Sequence, residues 1–253
     1  MYSVGLTMRL ASHLKRFIIL QGTSPWNMRD PMAARAFNFH GIGQPGPEIP
    51  ANERPYWISI AAFEAFLDIF MAYRDRRRIL ITFDDGNRSD IEIAAPLLAK
   101  HRLNARFFVL TGRLEHPDYL SKQNIRDLRD MGFVIGSHGI NHVDWVQQDT
   151  LGLDHELFQS RAVLEELLDQ PVTEAAIPFG SYRRRVLRGL RTNGYTVAWS
   201  SDGSATALRG FLRPRLSIRN DTEPGAITRL LDSGEGFRCR WHQKLSVARK
   251  VLL

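Results

Sequence analysis

Cysteine is almost missing from this chain: Cys239 is the only one in 253 residues. A lone thiol has no internal partner, so no disulfide framework staples the fold. Long hydrophobic runs are scarce too. Nothing reaches the roughly 20 consecutive apolar residues that a membrane-spanning helix needs. Near the N-terminus, Arg9, His13, Lys15 and Arg16 break the apolar character before Phe17-Ile18-Ile19-Leu20. Neither a small-residue cleavage site nor a twin-arginine signal is found there. The expectation is a cytoplasmic protein, at most peripheral at the inner membrane face. Internal repeats, low-complexity linkers and the signatures of zinc fingers, helix-turn-helix units or aromatic RNA-binding motifs are also lacking. The net charge of +7 is therefore not read as nucleic-acid binding. It fits a basic soluble surface, or attraction to an anionic polymer, an anionic membrane surface or a lipid carrier.

What the chain does have is alternation. Short runs rich in β-branched and aromatic residues recur at 36–40, 79–83, 105–110, 133–136, 174–177, 195–200 and 211–218, the last interrupted by Pro214. Between them lie segments with apolar residues at helical spacing, such as Ile60, Phe63, Phe66, Leu67 and Phe70 after a capping Ser59. Ser89 or Asp90 is expected to cap the helix running to about Lys100, and Ser121 the next. A long helix is expected over about 150–168, stopped by Pro171, with a further helix over 183–192. Residues 44–57 are rich in proline and glycine and read as loop. Strand–helix alternation over nearly the whole length predicts an α/β fold, a deformed (β/α) barrel of about seven parallel strands in a single domain. Residues 1–35 are expected to form an N-terminal extension, disordered or amphipathic. The barrel is placed at 36–220 and a C-terminal helical extension at 221–253.

Chemistry gathers where strands should end, which is where α/β proteins bind ligands. Ile79-Leu80-Ile81-Thr82-Phe83 runs into Asp84-Asp85-Gly86. Two adjacent carboxylates cannot both ionise cheaply without a cation nearby. Gly136-Ser137-His138-Gly139-Ile140-Asn141-His142 supplies two histidines four apart; on one helical turn, both imidazoles would face one ion. Either stretch alone is commonly structural, an ordinary turn or a hydrogen-bonded histidine pair. Together, each directly after a strand, they predict a metal centre of Asp85, His138 and His142 with open positions. Zinc is the default, and cobalt, nickel, manganese or iron also suit nitrogen and oxygen ligands. Such an ion lowers the pKa of a bound water from about 16 towards roughly 7, and Asp84 would be the general base beside it. A third stretch, Ile177-Pro178-Phe179-Gly180-Ser181-Tyr182, again follows a strand. Its backbone N–H groups could face an oxyanion, and Phe179 and Tyr182 could floor a sugar-sized pocket. His40, ending the first strand, is either a polar participant or a structural histidine. Trp199 and Asp202, with Trp57 and Trp145, could line a groove or pack in the core.

The run Thr82-Phe83-Asp84-Asp85-Gly86, followed some fifty residues later by Ser137-His138-Gly139-Ile140-Asn141-His142, resembles the first two motifs of the NodB-homology polysaccharide deacetylases, carbohydrate esterase family 4. Pro178-Phe179-Gly180 resembles the core of the third. The resemblance runs from about Phe37 to about Ile218. It implies a deformed (β/α) barrel that removes N-acetyl groups from amino sugars of a polysaccharide, oligosaccharide or lipid-linked precursor. By motif, Asp84 is the base, Asp85, His138 and His142 are the ligands, and the Phe179 N–H joins the oxyanion site. Two departures stand out. The third motif often opens with an arginine that orients the base, where this chain reads Ala175-Ala176-Ile177, leaving Arg183 or another arginine to substitute. The last motif's Leu-x-His, source of the general acid, reads Leu216-Ser217-Ile218; His242 lies well past the barrel pattern. These departures keep two alternatives in view: hydrolysis of another non-peptide C–N bond, such as a formamide or cyclic ureide, and a catalytically inactive glycan-binding homologue.

Overall fold

A computed structural model describes residues 35–203, 210–232 and 250. The elements follow in chain order: β1 (Arg35–Phe39), β2 (Gly41–Ile42), β3 (Trp57–Ile58), α1 (Ile60–Ala72), β4 (Ile79–Phe83), α2 (Ala95–Lys100), β5 (Ala105–Val109), α3 (Lys122–Asp130), β6 (Val134–Ser137), α4 (Thr150–Leu168), β7 (Glu174–Ala176), α5 (Arg184–Thr192), β8 (Val197–Ser200), β9 (Leu212–Pro214), β10 (Leu216–Ser217) and α6 (Pro224–Asp232). Eight of the strands form one sheet, ordered β10-β1-β4-β5-β6-β7-β8-β9 and parallel at every pairing. β2 and β3 form a separate parallel pair. Only Arg215 separates β9 from β10, so the final strand runs first beside β8 and then beside β1. Arg215 N–H donates to Ser200 O at 2.9 Å, and Ile218 N–H to Asn38 O at 2.8 Å. One bent strand thus joins both edges, and the sheet is nearly closed into the expected barrel. The break falls at Arg215, not at Pro214.

Period-two alternation sorts the strand side chains into two layers. Phe37, Phe39, Ile81, Phe83, Phe107 and Val109 face outward and pack with Phe63, Phe66 and Phe70 of α1 and with Leu98, Leu128 and Leu157 in one buried cluster. Phe83 lies between Phe39 and Phe107, with ring centroids 5.6 and 4.8 Å away. Each buried aromatic or aliphatic side chain there contributes about 1.5–3 kcal/mol. Ser59 caps α1 by accepting from Ala62 N–H, and Ser121 forms a capping box with Asn124. The expected cap at Ser89 or Asp90 is not formed. A π-helical turn, Asp90–Ala94, precedes α2 without a side-chain cap, because the Ser89 hydroxyl instead accepts from Ile42 N–H. Among the described residues, no helix is long and apolar enough to cross a membrane. Residues 1–34 of the expected N-terminal extension lie outside the described residues, as do His242 and most of the C-terminal extension past α6.

The inward layer is polar and full. Trp199 is completely buried within it. Its indole N–H donates to Glu174 at 2.8 Å, and the guanidinium groups of Arg106 and Arg213 lie over its ring at 5.6 and 5.5 Å. The expectation that Trp199 binds substrate is therefore corrected: its place on β8 turns it into the barrel rather than towards the rim. Trp145 is likewise fully buried and Trp57 nearly so; both pack in the interior rather than lining a groove.

Gly136 on β6 faces this interior. A Cβ there would stand 2.5 Å from the Phe108 ring and 2.8 Å from Glu174 O. Gly136→Val is expected to cost about 1–3 kcal/mol through overpacking, read as a lower urea midpoint at unchanged slope.

Candidate metal centre

The three motif stretches meet at the C-terminal rim. Asp85 is the second residue past β4, His138 directly follows β6, and His142 lies four residues further on. One ligand atom from each lies within 4.8 Å of the others. His138 Nε2 is 3.5 Å and His142 Nε2 3.6 Å from the same oxygen, Asp85 Oδ1. Tetrahedral ligands on ~2.0–2.1 Å bonds sit about 3.3–3.4 Å apart, so the spacing suits an ion such as zinc. Asp85 Oδ1 is buried and has no hydrogen-bond partner within the protein. A buried carboxylate oxygen left unpaired is costly, and a cation would satisfy it. The residues present therefore fit the expected metal.

Each histidine is held by its other nitrogen. His138 Nδ1 lies 2.9 Å from Ala176 O, and His142 Nδ1 lies 2.9 Å from Glu53 Oε1. Both contacts leave Nε2 for the ion. Burial pushes the His138 imidazole's pKa down, favouring the neutral form that ligates. The helical-turn expectation for the pair is corrected. Residues 138–142 form a loop, and His142 has a left-handed backbone (φ 53°). Glu156 of α4 gathers this loop by accepting from Ile140 N–H (2.7 Å) and Asn141 Nδ2 (2.9 Å). Ser137 Oγ accepts from Gly139 N–H and meets Ser160 Oγ at 2.7 Å.

Asp84 turns into the barrel. Arg215 binds it with both terminal nitrogens, Nη1 to Oδ1 at 2.7 Å and Nη2 to Oδ2 at 2.8 Å, and Asn38 Nδ2 donates to Oδ2 at 3.0 Å. Burial works to raise the carboxyl's pKa, but Arg215 and then His138 outweigh it, and Asp84 is held well below the usual carboxylate range. Arg215 thus supplies an arginine contact to Asp84 that Ala175-Ala176-Ile177 has no side chain to make. Arg183, the substitute named from sequence, is exposed.

At the third stretch Pro178 is buried, and Phe179 takes a left-handed backbone (φ 57°). The Phe179 ring is 57% exposed and stacks on His142, centroids 4.5 Å apart. Gly180 also has positive φ (61°), and a Cβ there would meet Ser201 at 2.8 Å. Tyr182 corrects the pocket-floor expectation. It is buried, its hydroxyl donates to Asp202 Oδ2 at 2.6 Å, and Asp202 is buried with it rather than lining a groove. Lys250 braces the turn from behind, donating to Gly180 O at 2.9 Å and Asp202 Oδ1 at 2.6 Å. His40 is half-buried on the rim, with its ring 4.7 Å from that of Tyr56 and Nδ1 buried without a partner. It stands one strand over from Asp84, whose N–H donates to Phe39 O.

Fold and site together define a parallel (β/α) barrel with an Asp-His-His centre and an arginine-held carboxylate on its C-terminal rim. Residues 72–198 match the polysaccharide deacetylase family, half of the chain, and the chain belongs to that family. Among curated relatives, YxkH of Bacillus subtilis strain 168 is 25% identical over 129 residues, 51% of this chain and 46% of YxkH. The chitooligosaccharide deacetylase of Rhizobium leguminosarum bv. trifolii is 29% identical over 166 residues, 62% of this chain and 73% of that protein. The chain thus spans about half the length of YxkH. Among solved structures, Streptococcus pyogenes deacetylase PplD in complex with acetate superposes with a TM-score of 0.68 at 21% identity, covering 81% of this chain and all of that one.

Arg215→Met would leave Asp84 buried and uncompensated, at an expected cost of about 3–5 kcal/mol at neutral pH. In the wild type the folded carboxyl's pKa is depressed, so its stabilisation is present above the unfolded pKa of about 3.9 and fades as pH falls below it. In the variant that pKa rises by burial, and acidification relieves the buried charge. Chemical unfolding across pH should show the gap between the two proteins narrowing as pH falls.

Proposed function

We propose that this chain is a metal-dependent deacetylase that hydrolyses the N-acetyl group of an amino sugar within a glycan. The observation that carries the reading is the convergence of both His Nε2 atoms on the unpaired Asp85 Oδ1, beside a carboxylate that a buried arginine keeps ionised. Asp85, His138 and His142 would hold the ion, zinc by default. When bound, it would activate a water and polarise the amide carbonyl.

The chain's own residues supply the rest. Asp84 accepts the proton of the attacking water; Arg215 and Asn38 hold it ionised and fix its direction. The Phe179 backbone N–H donates to the oxygen of the tetrahedral centre, on a turn held by Pro178 and Gly180. The departing amine needs a proton. Ile218, where Leu-x-His would place its histidine, is fully buried, and its N–H donates to Asn38 O. His40 lies two residues beyond Asn38 on that neighbouring strand, at the rim. His40 is the donor in this reading. The Arg215–Asp84 contact and a histidine at the neighbouring strand end argue against the binding-only alternative, since each offers a group of the kind that the two departures lack. The +7 charge favours a glycan bearing anionic groups, or one on a phosphate-linked lipid carrier at a membrane surface.

The test is acetate release from N-acetylglucosamine oligomers by protein stripped of metal and reloaded with zinc or cobalt. Release should require the ion. Asp85→Ala should lose the metal, whereas Asp84→Asn should keep it and lose turnover. His40→Gln should lower kcat by about 10²–10⁴-fold, the usual reach of a proton donor. Full activity in Asp84→Asn would refute the base assignment. A folded, metal-loaded protein that releases no acetate would point to another acyl group or to binding alone.

A further inference from the structure

Two supports hold the paired histidines, and they are chemically unequal. His138 leans on a neutral backbone carbonyl, Ala176 O. His142 leans on a carboxylate from a distant part of the chain, the Pro/Gly-rich loop between β2 and β3. That carboxylate, Glu53, is buried. Arg113 grips it with both terminal nitrogens, Nη2 to Oε1 at 2.8 Å and Nη1 to Oε2 at 2.9 Å. The Arg113 guanidinium in turn lies over Tyr119, 5.0 Å from its ring centroid. Oε1 therefore meets both Arg113 and His142, while the arginine balances the buried charge. A carboxylate behind a ligating imidazole fixes the tautomer and ring orientation and raises ligand basicity.

We propose that Glu53 is a positioning residue for the metal centre: clamped by Arg113, it fixes the His142 ring with Nε2 towards the ion and strengthens that nitrogen as a ligand. This rests on the metal-centre reading above and deepens it. His142 needs such a tether, because its left-handed backbone (φ 53°) is a strained conformation for a side-chain-bearing residue. Glu156 holds Ile140 and Asn141, but the ring of His142 is tied by Glu53. The clamp draws on three separate segments: the loop before β3, the turn after β5, and the loop after β6. The same loop carries Tyr56, against which His40 packs, so one segment braces both histidines flanking the aspartate pair.

A purely structural salt bridge would act only by ordering the loop, and metal affinity separates the two roles. The readouts are zinc competition against a chromogenic chelator and the visible spectrum of the cobalt form, on the full chain. Glu53→Gln should weaken zinc binding about 10–100-fold and alter the cobalt spectrum. The double variant Glu53→Gln/Arg113→Gln removes both charges of the clamp, leaves no unpaired guanidinium, and should lose affinity to the same extent. Arg54→Ala removes a different staple of the same loop, Nε to Ile49 O at 3.3 Å, and should leave affinity within about twofold of wild type, since no ligand's support is touched. Wild-type affinity in Glu53→Gln would overturn the proposal, as would an equal loss in Arg54→Ala. Failure of the wild-type chain to bind zinc or cobalt would overturn the metal centre itself, an outcome distinct from either.

Discussion

The C-terminal rim of the barrel depends on one buried ion pair. Arg215 and Asp84 lie 131 residues apart and meet where the last strand bends from β8 across to β1. Removing both charges from water costs several kcal/mol per ion, and the attraction between them offsets this only when the remaining donors and acceptors are satisfied. Here they nearly all are. Arg215 Nη1 reaches Asn38 Oδ1 at 2.8 Å and Thr82 Oγ1 at 3.2 Å besides Asp84, and the Phe108 ring lies 5.3 Å from the guanidinium carbon. The pair therefore does two things at once. It pins the closing strand against β1 and β4, and it keeps Asp84, the base of the proposed reaction, charged and fixed in direction. Barrel closure and the proposed chemistry share a single contact.

That sharing is available because the barrel interior is polar. The apolar work of folding is done on the outer face, where α1 and the other helices cover the strands. The inside is left to Arg106, Glu174, Trp199 and Arg213 at one level and to Asn38, Thr82, Asp84 and Arg215 nearer the rim. A filled interior gives the site a rigid floor, which matters if its groups are to hold an ion and a proton acceptor in fixed relation, as proposed. The positive charge of Arg213 and Arg106 over the Trp199 ring is balanced in part by Glu174, so the floor is held by electrostatics as well as by packing.

The barrel was legible in the sequence because strand–helix alternation is a local signal, and the Asp-Asp and His-x-x-x-His runs were legible because each is contiguous. What was not legible joins residues far apart in the chain. Arg215 sits in Leu212-Arg213-Pro214-Arg215-Leu216, whose alternating arginines mark one face but not which face. Reading that face as inward would have required knowing that the strand closes a barrel. Glu53 is 89 residues from His142, in a stretch that composition marks only as loop. Glu156 is one acid among several on α4. The aromatic misreadings share a cause. Trp199 lies near the end of β8 and Tyr182 in the loop after β7, where ligand-facing residues also lie, and position alone cannot tell a side chain that faces the rim from one that turns inward to Glu174 or Asp202. The helical-turn argument named the two histidines that the structure brings to Asp85, but by the wrong geometry, because a tight loop also brings residues four apart together.

Backbone conformation is unusual at the candidate metal centre. Asp85 (φ 77°), His142 (φ 53°) and Phe179 (φ 57°) are all left-handed, a region that non-glycine residues enter at a cost of order 1–3 kcal/mol each. Glycine would remove that cost at every one of the three. At Asp85 and His142 it would also remove a side chain of the candidate metal centre, and at Phe179 the ring that stacks on His142. Strain of this kind persists only where surrounding contacts over-determine the conformation, and each of the three has such contacts near at hand. Gly86 O accepts from Leu120 N–H next to Asp85, Glu53 holds His142, and Lys250 braces Gly180 behind Phe179. The supports come from three different parts of the chain and converge on one rim. Arg102, Glu115 and Asp169 are left-handed too, outside the Asp-His-His cluster, so what sets these three apart is not the conformation alone but its convergence, with separate supports, around the candidate metal centre.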